Sequence, residues 1–268
     1  MKLNIVPAST GLTWVRQGIR TFFRQPLAMG GLFFMFMAAV SVLSLVPLVG
    51  TALSVGLVPA ATLGLMAATR EAEQGRFPMP STLVLAFRGG AQRTRAMVML
   101  GGLYAIGLLV VLVAAALLAG TADTLPDAGS GEVTPEMVQA MASEPGLWLA
   151  MLVYLPVMMA FWHAPALVYW RGVSPGKSLF FSLMACWANK GALFLYAIGW
   201  GAVFMIAGLL VGLVGGALGG GLSAVLYPLV LLMAAMFHTS IWFSVRDSFQ
   251  ADAPDPSAPP PPESGDSP

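Results

Sequence analysis

The sequence predicts an all-α polytopic membrane protein with six transmembrane helices. The chain is 57% hydrophobic and only 9% charged, whereas a soluble domain carries about 25% charged residues. Its mean hydropathy is +0.80. Six apolar runs contain no Asp, Glu, Lys or Arg, and each is long enough to cross a bilayer, which takes about 20 residues. A chain of this composition could not cover a water-facing surface, so its surface is expected to face lipid.

The spans follow from the positions of these runs. The link between the first two is short, around Pro47 to Thr51, and the glycine-rich segment 215–221 joins the last two. Each of these pairs is therefore predicted to form a hairpin. Prolines within spans are tolerated as kinks, and we favour local bending for packing over gating hinges at Pro59, Pro156, Pro165 and Pro228. The predicted spans cover residues 27–47, 50–69, 96–120, 147–170, 191–214 and 222–245.

The basic residues predict the orientation of the chain. Between successive basic clusters the chain crosses the membrane an even number of times, so all thirteen Lys and Arg residues lie on one side. The positive-inside rule assigns this side to the cytoplasm, together with both termini. The clusters are Lys2, Arg16, Arg20 and Arg24; Arg70, Arg76, Arg88, Arg93 and Arg95; Arg171, Lys177 and Lys190; and Arg246.

Two segments lie outside this pattern of spans. The loop at about 121–146 contains five carboxylates and no base, which predicts a periplasmic insertion with a short surface helix at 135–143. After a membrane domain over residues 1–247, the Pro-rich acidic segment 248–268 is predicted to be a disordered cytoplasmic tail. This tail either keeps the chain soluble, which we favour, or docks a cytoplasmic partner.

An internal repeat is predicted across the membrane domain. Each unit consists of an interfacial amphipathic helix followed by a transmembrane hairpin, and each unit ends at an arginine: Arg70, Arg171 or Arg246. The second amphipathic stretch, Ser81 to Gly90, is the shortest of the three. The units cover residues of about 9–70, 79–171 and 174–246.

The first amphipathic stretch predicts contact with anionic lipid headgroups. Arg16, Arg20 and Arg24 recur every four residues and form a basic stripe on a helix. This pattern is typical of a helix in the headgroup layer, with guanidinium groups near phosphates and apolar side chains among acyl chains. The apolar residues at helical spacing are Leu12, Val15, Ile19, Phe22 and Phe23.

The two histidines of the chain form a candidate intramembrane polar site. His163 and His238 fall within predicted spans, and each lies eight residues before the arginine that ends its unit; Thr62 has this place in the first unit. A pseudo-threefold arrangement would bring the two imidazoles together. We favour a hydrogen bond from each to a neighbouring helix over a proton or substrate path. No metal site is predicted, because zinc usually takes three or four protein ligands.

Small residues suggest a close helix contact in the fifth span. Gly208, Gly212 and Gly216 recur every four residues and share one helix face. We favour internal packing against another span over a dimer contact. The single cysteine, Cys186, excludes an internal disulfide. It is interpreted as a plain small residue, with palmitoylation or redox chemistry as the alternative.

Two resemblances are carried by particular segments. Ile5-Val6-Pro7-Ala8-Ser9, Trp14-Val15-Arg16 and Phe22-Phe23-Arg24-Gln25-Pro26-Leu27 resemble uncharacterised multi-pass inner-membrane proteins of beta-proteobacteria, up to about Asp247. This resemblance implies location in a bacterial inner membrane. More distantly, Ala164 to Val168, Ser174-Pro175 and Ser178 to Ser182 are similar to membrane domains attached to bacterial glycerophosphodiester phosphodiesterases. Their catalytic barrel is absent from this sequence, and neither group implies an active-site residue.

The sequence predicts a non-enzymatic protein without a cofactor. It contains no phosphate-binding loop or metal-ligand cluster, and histidine is the only ionisable acid–base residue type expected deep in the spans. The net charge of +1 gives no field for nucleic acid. We expect a protein that organises or senses the cytoplasmic leaflet or a membrane partner; a small-solute transporter or channel is the alternative. The oligomeric state and any cytoplasmic protein partner are left open.

Overall fold

The computed structural model describes residues 2–118, 139, 143, 145–217 and 223–250. Within this part, the regular structure is α-helical except for one two-stranded sheet and two short 3-10 turns. The strands are β1 (Lys2–Leu3) and β2 (Phe249–Gln250). The helices are α1 (Thr10–Arg24), α2 (Pro26–Ser44), α3 (Gly50–Glu73), α4 (Ala91–Leu118), α5 (Pro145–Trp162), α6 (Ala164–Arg171), α7 (Pro175–Ala188), α8 (Lys190–Ala217) and α9 (Ser223–Ser248).

Within the described ranges, six helical stretches are long and apolar enough to cross a membrane, which confirms the predicted all-α polytopic fold. These six spans imply association with a lipid bilayer. They begin and end within a few residues of the predicted bounds. The spans are Pro26–Ser44, Gly50–Glu73, Ala91–Leu117, Trp148–Arg171, Lys190–Val214 and Pro228–Ser248.

The fourth span is broken, whereas the sequence predicts only a kink there. α5 ends at Trp162, and α6 starts again after His163. Pro165 lies in the first turn of α6, where its missing N–H leaves no donor unsatisfied. The break frees the backbone N–H of His163, which donates to Ser182 Oγ of α7 at 2.9 Å. Ser182 Oγ in turn donates to Met159 O at 2.7 Å. One hydroxyl thus binds both the donor and the acceptor that the break separates.

α3 and α9 form the centre of the bundle. About half of the most apolar stretch of each is buried, 50% in α3 and 56% in α9, against 6% in α8. α8 touches α9 at only a few places, where the hydroxyl of Tyr196 and the indole N–H of Trp200 meet Ser240 Oγ. α1 packs extensively on both helices. Among the described residues, the fifth and sixth spans are therefore joined largely through α1.

The two ends of the described chain meet. β1 pairs antiparallel with β2, with Lys2 opposite Gln250. Buried Asn189, between α7 and α8, accepts from the Val6 backbone N–H at 2.9 Å and donates to Asn4 O at 3.0 Å. Regular structure therefore continues to residue 250, three residues past the predicted domain end at 247, because β2 pairs with β1.

The three predicted amphipathic stretches differ in structure. The first and third form α1 and α7. The second forms two 3-10 turns, Pro80–Thr82 and Leu85–Phe87, so the helix expected at Ser81 to Gly90 is wrong. The threefold repeat stays a prediction. Most of the acidic loop and all of 251–268 lie outside the described residues.

Candidate functional site

α1 presents its basic stripe to the outside and its largest apolar side chains to the bundle. Arg16, Arg20 and Arg24 are all exposed. Trp14 and Phe22 are fully buried in the core, against the expectation that the apolar face lies among acyl chains. An amphipathic pattern buries its apolar face in whatever apolar surface is nearest, and here α8 and α9 supply it. On the same helix, Leu12 and Phe23 remain exposed.

Two glycines let α1 approach its neighbours closely. A Cβ at Gly11 would lie 1.9 Å from Ala192 O of α8, and a Cβ at Gly18 would lie 2.3 Å from Ser240 Cβ of α9. No side chain fits at either place. The Trp14 indole N–H donates to Asp247 Oδ2 at 2.9 Å and fixes the same face of α1 to the end of α9.

The arginines that end the three predicted units converge on one cavity. Arg70 of α3, Arg171 of α6 and Arg246 of α9 line a space of about 410 Å³ together with Trp170 and Trp242. We call this space the arginine cavity, and the end of the bundle where it lies the basic end. The sequence aligns these arginines, but their meeting in space depends on how the spans pack.

Arg246 is the arginine whose charge is compensated. It forms ion pairs with Glu73 and with Asp247, the latter with 2.7 Å between Nε and Oδ1. Glu73 also accepts a hydrogen bond from Trp242 Nε1 at 2.8 Å. These contacts join the end of α3 to the end of α9 and hold one wall of the arginine cavity.

The other two arginines of the cavity, Arg70 and Arg171, lack such carboxylate partners within the described chain. The Arg70 guanidinium carbon lies 6.0 Å from the ring centres of both Trp170 and Trp242. Those indoles meet edge to face at 5.2 Å. Arg171 Nη2 donates to Phe249 O at 3.5 Å. Both guanidinium groups therefore retain N–H donors that can bind an anion.

The two histidines occupy separate environments, so the structure does not bring them together as the repeat suggests. His163 is buried at the break in the fourth span, with its Nδ1 3.6 Å from Cys186 Sγ of α7. Its Nε2 is buried and has no hydrogen-bond partner within the described chain. His238 Nδ1 lies 2.8 Å from Ala234 O of its own helix, and its ring packs against Phe33 at 5.2 Å.

His238 reaches a second cavity inside the bundle, and we call it the central cavity. This space of about 240 Å³ lies among α3, α4, α5, α6 and α9. Thr62, the predicted counterpart of His238, lines it too, whereas His163 does not. Tyr104 and Tyr154 supply its other hydroxyl groups. Across the described ranges, no group of three or more His, Cys, Asp or Glu could hold a metal ion.

The packing stripe predicted in the fifth span makes no internal contact at the two glycines whose surroundings are described, and a dimer contact there stays a prediction. Gly208 and Gly212 are exposed, and a Cβ at either would meet nothing within 4 Å; the surroundings of Gly216 lie outside the described part. The close approach occurs instead between α3 and α4, where a Cβ at Gly101 would lie 2.1 Å from Gly56 O. Spacing of four identifies a helix face but not its partner.

Cys186 lies in the interior of the protein. Its side chain is 1% exposed, on α7 and against His163. Burial raises the pKa of the Cys186 thiol to about 12, because the thiolate loses its hydration. A neutral, enclosed thiol is a poor nucleophile. The structure thus gives no support to palmitoylation at this residue.

Comparison with known proteins places the chain in a family. It is 36% identical over 261 residues to a probable inner membrane protein of Burkholderia thailandensis. The match covers 95% of this chain and 96% of the relative. The chain belongs to the same family. No protein-family model matches it, and no solved structure does. The six spans and this relative agree on a multi-pass protein of the inner membrane.

Proposed function

We propose that this protein is non-enzymatic and organises or senses the cytoplasmic leaflet of the inner membrane through α1. The observation that carries the proposal is the pair of faces on α1. Arg16, Arg20 and Arg24 are exposed, while Trp14 and Phe22 hold the opposite face to the bundle. A basic stripe on a fixed helix is a surface for anionic headgroups.

The charge distribution supports the cytoplasmic placement of this surface. The positive-inside rule puts an end rich in Lys and Arg in the cytoplasm. Arg70, Arg171 and Arg246 lie together at the basic end, where Trp14 joins α1 to Asp247 beside them. In this orientation, both termini are cytoplasmic. Each arginine near an anionic leaflet contributes about 1 kcal/mol of attraction, so the stripe prefers anionic over neutral lipid.

The resemblance of α7 to domains attached to phosphodiesterases enters this proposal only through its serines, which pack α7 against the fourth span in this chain. Ser174 precedes Pro175 at the start of α7, and Ser182 binds the broken fourth span through Met159 O. The shared serine pattern is thus explained by packing. We extend no phosphodiesterase activity to this chain.

Lipid retention tests the proposal. Arg16, Arg20 and Arg24 are changed together to Gln, and lipids that co-purify with the protein from mixed phosphatidylglycerol and phosphatidylethanolamine bilayers are quantified by mass spectrometry. We expect the anionic fraction to fall. The matched control changes three other exposed arginines, Arg76, Arg88 and Arg95, to Gln and should retain more anionic lipid. Unchanged retention in the stripe variant would contradict the proposal.

The alternative function is a small-solute transporter or channel, and the central cavity is the observation that favours it. Thr62, Tyr104 and His238 supply polar groups to a space between the spans. Flux of small solutes into proteoliposomes would then decrease for His238→Ala. His163→Ala is the matched control, because His163 does not line that cavity. Equal flux in the wild-type protein and His238→Ala would count against transport by this route.

A further inference from the structure

We propose that the arginine cavity is a binding site for a phosphate group. The site is separate from the stripe on α1 and does not depend on the function proposed for that helix. It lies where three spans end, each of which contributes one guanidinium group: Arg70, Arg171 and Arg246. Its volume of about 410 Å³ leaves room for an anion larger than a single carboxylate.

The charge balance of the cavity calls for an anionic ligand. Three arginines line it, and the two carboxylates that form ion pairs at its wall, Glu73 and Asp247, both bind Arg246. Within the described chain, Arg70 and Arg171 have no carboxylate partner. Like charges at one site repel each other, and a bound anion relieves that repulsion. The cavity is therefore complementary to a ligand with at least one negative charge.

Aromatic contacts position one of the two free guanidinium groups, that of Arg70, before any ligand binds. Arg70 lies over the rings of Trp170 and Trp242 in a cation–π arrangement. This arrangement leaves its N–H groups free to donate to a ligand. Trp242 is itself held by its hydrogen bond to Glu73. Because Arg70 already contacts both rings, binding an anion there costs less conformational entropy than ordering an arginine without such contacts.

The donor set favours phosphate over carboxylate. A guanidinium group pairs with phosphate oxygens through two parallel N–H donors, and the two free guanidinium groups, Arg70 and Arg171, already offer more donors than two carboxylate oxygens accept. A phosphate group has more oxygens and can carry more charge. Two sources share this chemistry at a membrane surface: the headgroup of a phospholipid, and a soluble phosphate or phosphate ester. The experiment separates them.

The test measures phosphate binding in two arms. In the first, inorganic phosphate is titrated into the detergent-purified full chain, and binding is followed by calorimetry. In the second, the protein is placed in nanodiscs of phosphatidylcholine with and without phosphatidylglycerol, and bound lipid is counted by native mass spectrometry. Binding in the first arm identifies a soluble phosphate, and binding in the second arm alone identifies a lipid headgroup. Binding in neither arm overturns the proposal.

Matched variants assign the binding to the cavity. Arg70→Gln with Arg171→Gln should weaken binding by at least about tenfold, because hydrogen bonds to a charged group are lost. Arg76→Gln with Arg88→Gln removes the same charge from exposed positions outside the cavity and should bind like the wild type. An equal loss of phosphate binding in both double variants would overturn the assignment of the site to the arginine cavity.

A second variant keeps the test decisive if the double substitution does not fold. Arg171→Gln removes only one long hydrogen bond among the described contacts, to Phe249 O, so the fold should survive it. We expect it to weaken phosphate binding on its own, with full binding retained by the stripe variant of Arg16, Arg20 and Arg24. Undiminished binding in Arg171→Gln overturns the proposal, and loss only in the stripe variant would assign phosphate to α1.

Discussion

The indole nitrogen of Trp14 donates a hydrogen bond to Asp247 Oδ2 at 2.9 Å, across 233 positions of sequence. This bond joins the first helix to the end of the last span. Asp247 also binds Arg246 through its other oxygen, so α1 is connected to the wall of the arginine cavity. The helix that bears the basic stripe is therefore attached to the wall of the cavity, although the stripe itself does not line it.

Removing this bond should loosen α1. Trp14→Phe keeps a large aromatic ring but leaves Asp247 without the indole donor, which should lower the free energy of unfolding by about 1–3 kcal/mol. Circular dichroism during denaturation in detergent measures the change. Trp187→Phe is the control, because Trp187 is 61% exposed and its loss should have little effect. Equal destabilisation by both substitutions would contradict the role given to Trp14.

Gly101, where the third span touches the second, should be more sensitive to an added side chain than the glycines of the fifth span. At Gly101 an added Cβ would collide with Gly56 O at 2.1 Å, and overpacking of this kind costs about 1–3 kcal/mol. Gly101→Ala should therefore lower the thermal midpoint in detergent. Gly208→Ala is the matched control on another span, where a Cβ meets nothing within 4 Å. A larger loss for Gly208→Ala would show that α8 packs against a partner there.

The sequence predicts spans far better than it predicts what their side chains touch. Runs without charged residues set the span bounds, because an unpaired charge in hydrocarbon is costly. The burial of Trp14 could not be predicted, since an amphipathic helix shows the same pattern whether lipid or protein covers its apolar face. Gly208 and Gly101 illustrate the same limit. Both occur in apolar spans, and only the packing shows which one touches a backbone.

For the candidate sites, too, the sequence predicts which residues matter better than it predicts what they contact. The alignment of unit ends singles out Arg70, Arg171 and Arg246, and the structure brings them to one cavity. The same alignment pairs His163 with His238, yet the break after Trp162 turns His163 toward α7. Pro165 is the signal for that break, because a proline has no N–H for the carbonyl four residues earlier and its ring clashes with that carbonyl.

Asn189 should hold the N-terminal segment against the bundle. Its amide accepts from Val6 N–H and donates to Asn4 O, and both bonds vanish in Asn189→Ala. The backbone amide of Val6 should then exchange hydrogen faster, by about tenfold for each 1.4 kcal/mol of protection lost. Hydrogen exchange with mass spectrometry of the N-terminal peptide measures this. Asn189→Asp keeps the acceptor for Val6 and should have a smaller effect; equal exchange in wild type and Asn189→Ala would refute this contact.

The thiol of Cys186 should resist alkylation while the protein is folded. Its raised pKa, about 12, means that the folded chain holds the neutral thiol, whereas an unfolded cysteine ionises near its ordinary pKa of about 8.5. Because the pKa of the thiol is higher in the folded state, this residue leaves the stability unchanged below the unfolded pKa. The folded state then loses stability relative to the unfolded state as pH rises from the unfolded pKa toward the folded value.

Maleimide labelling at about pH 8 should be slow in mild detergent and fast in dodecyl sulfate. A cysteine placed at exposed Ser81 in a Cys186→Ser background should label quickly in both. Equally fast labelling of native Cys186 would show that α7 moves away from the fourth span.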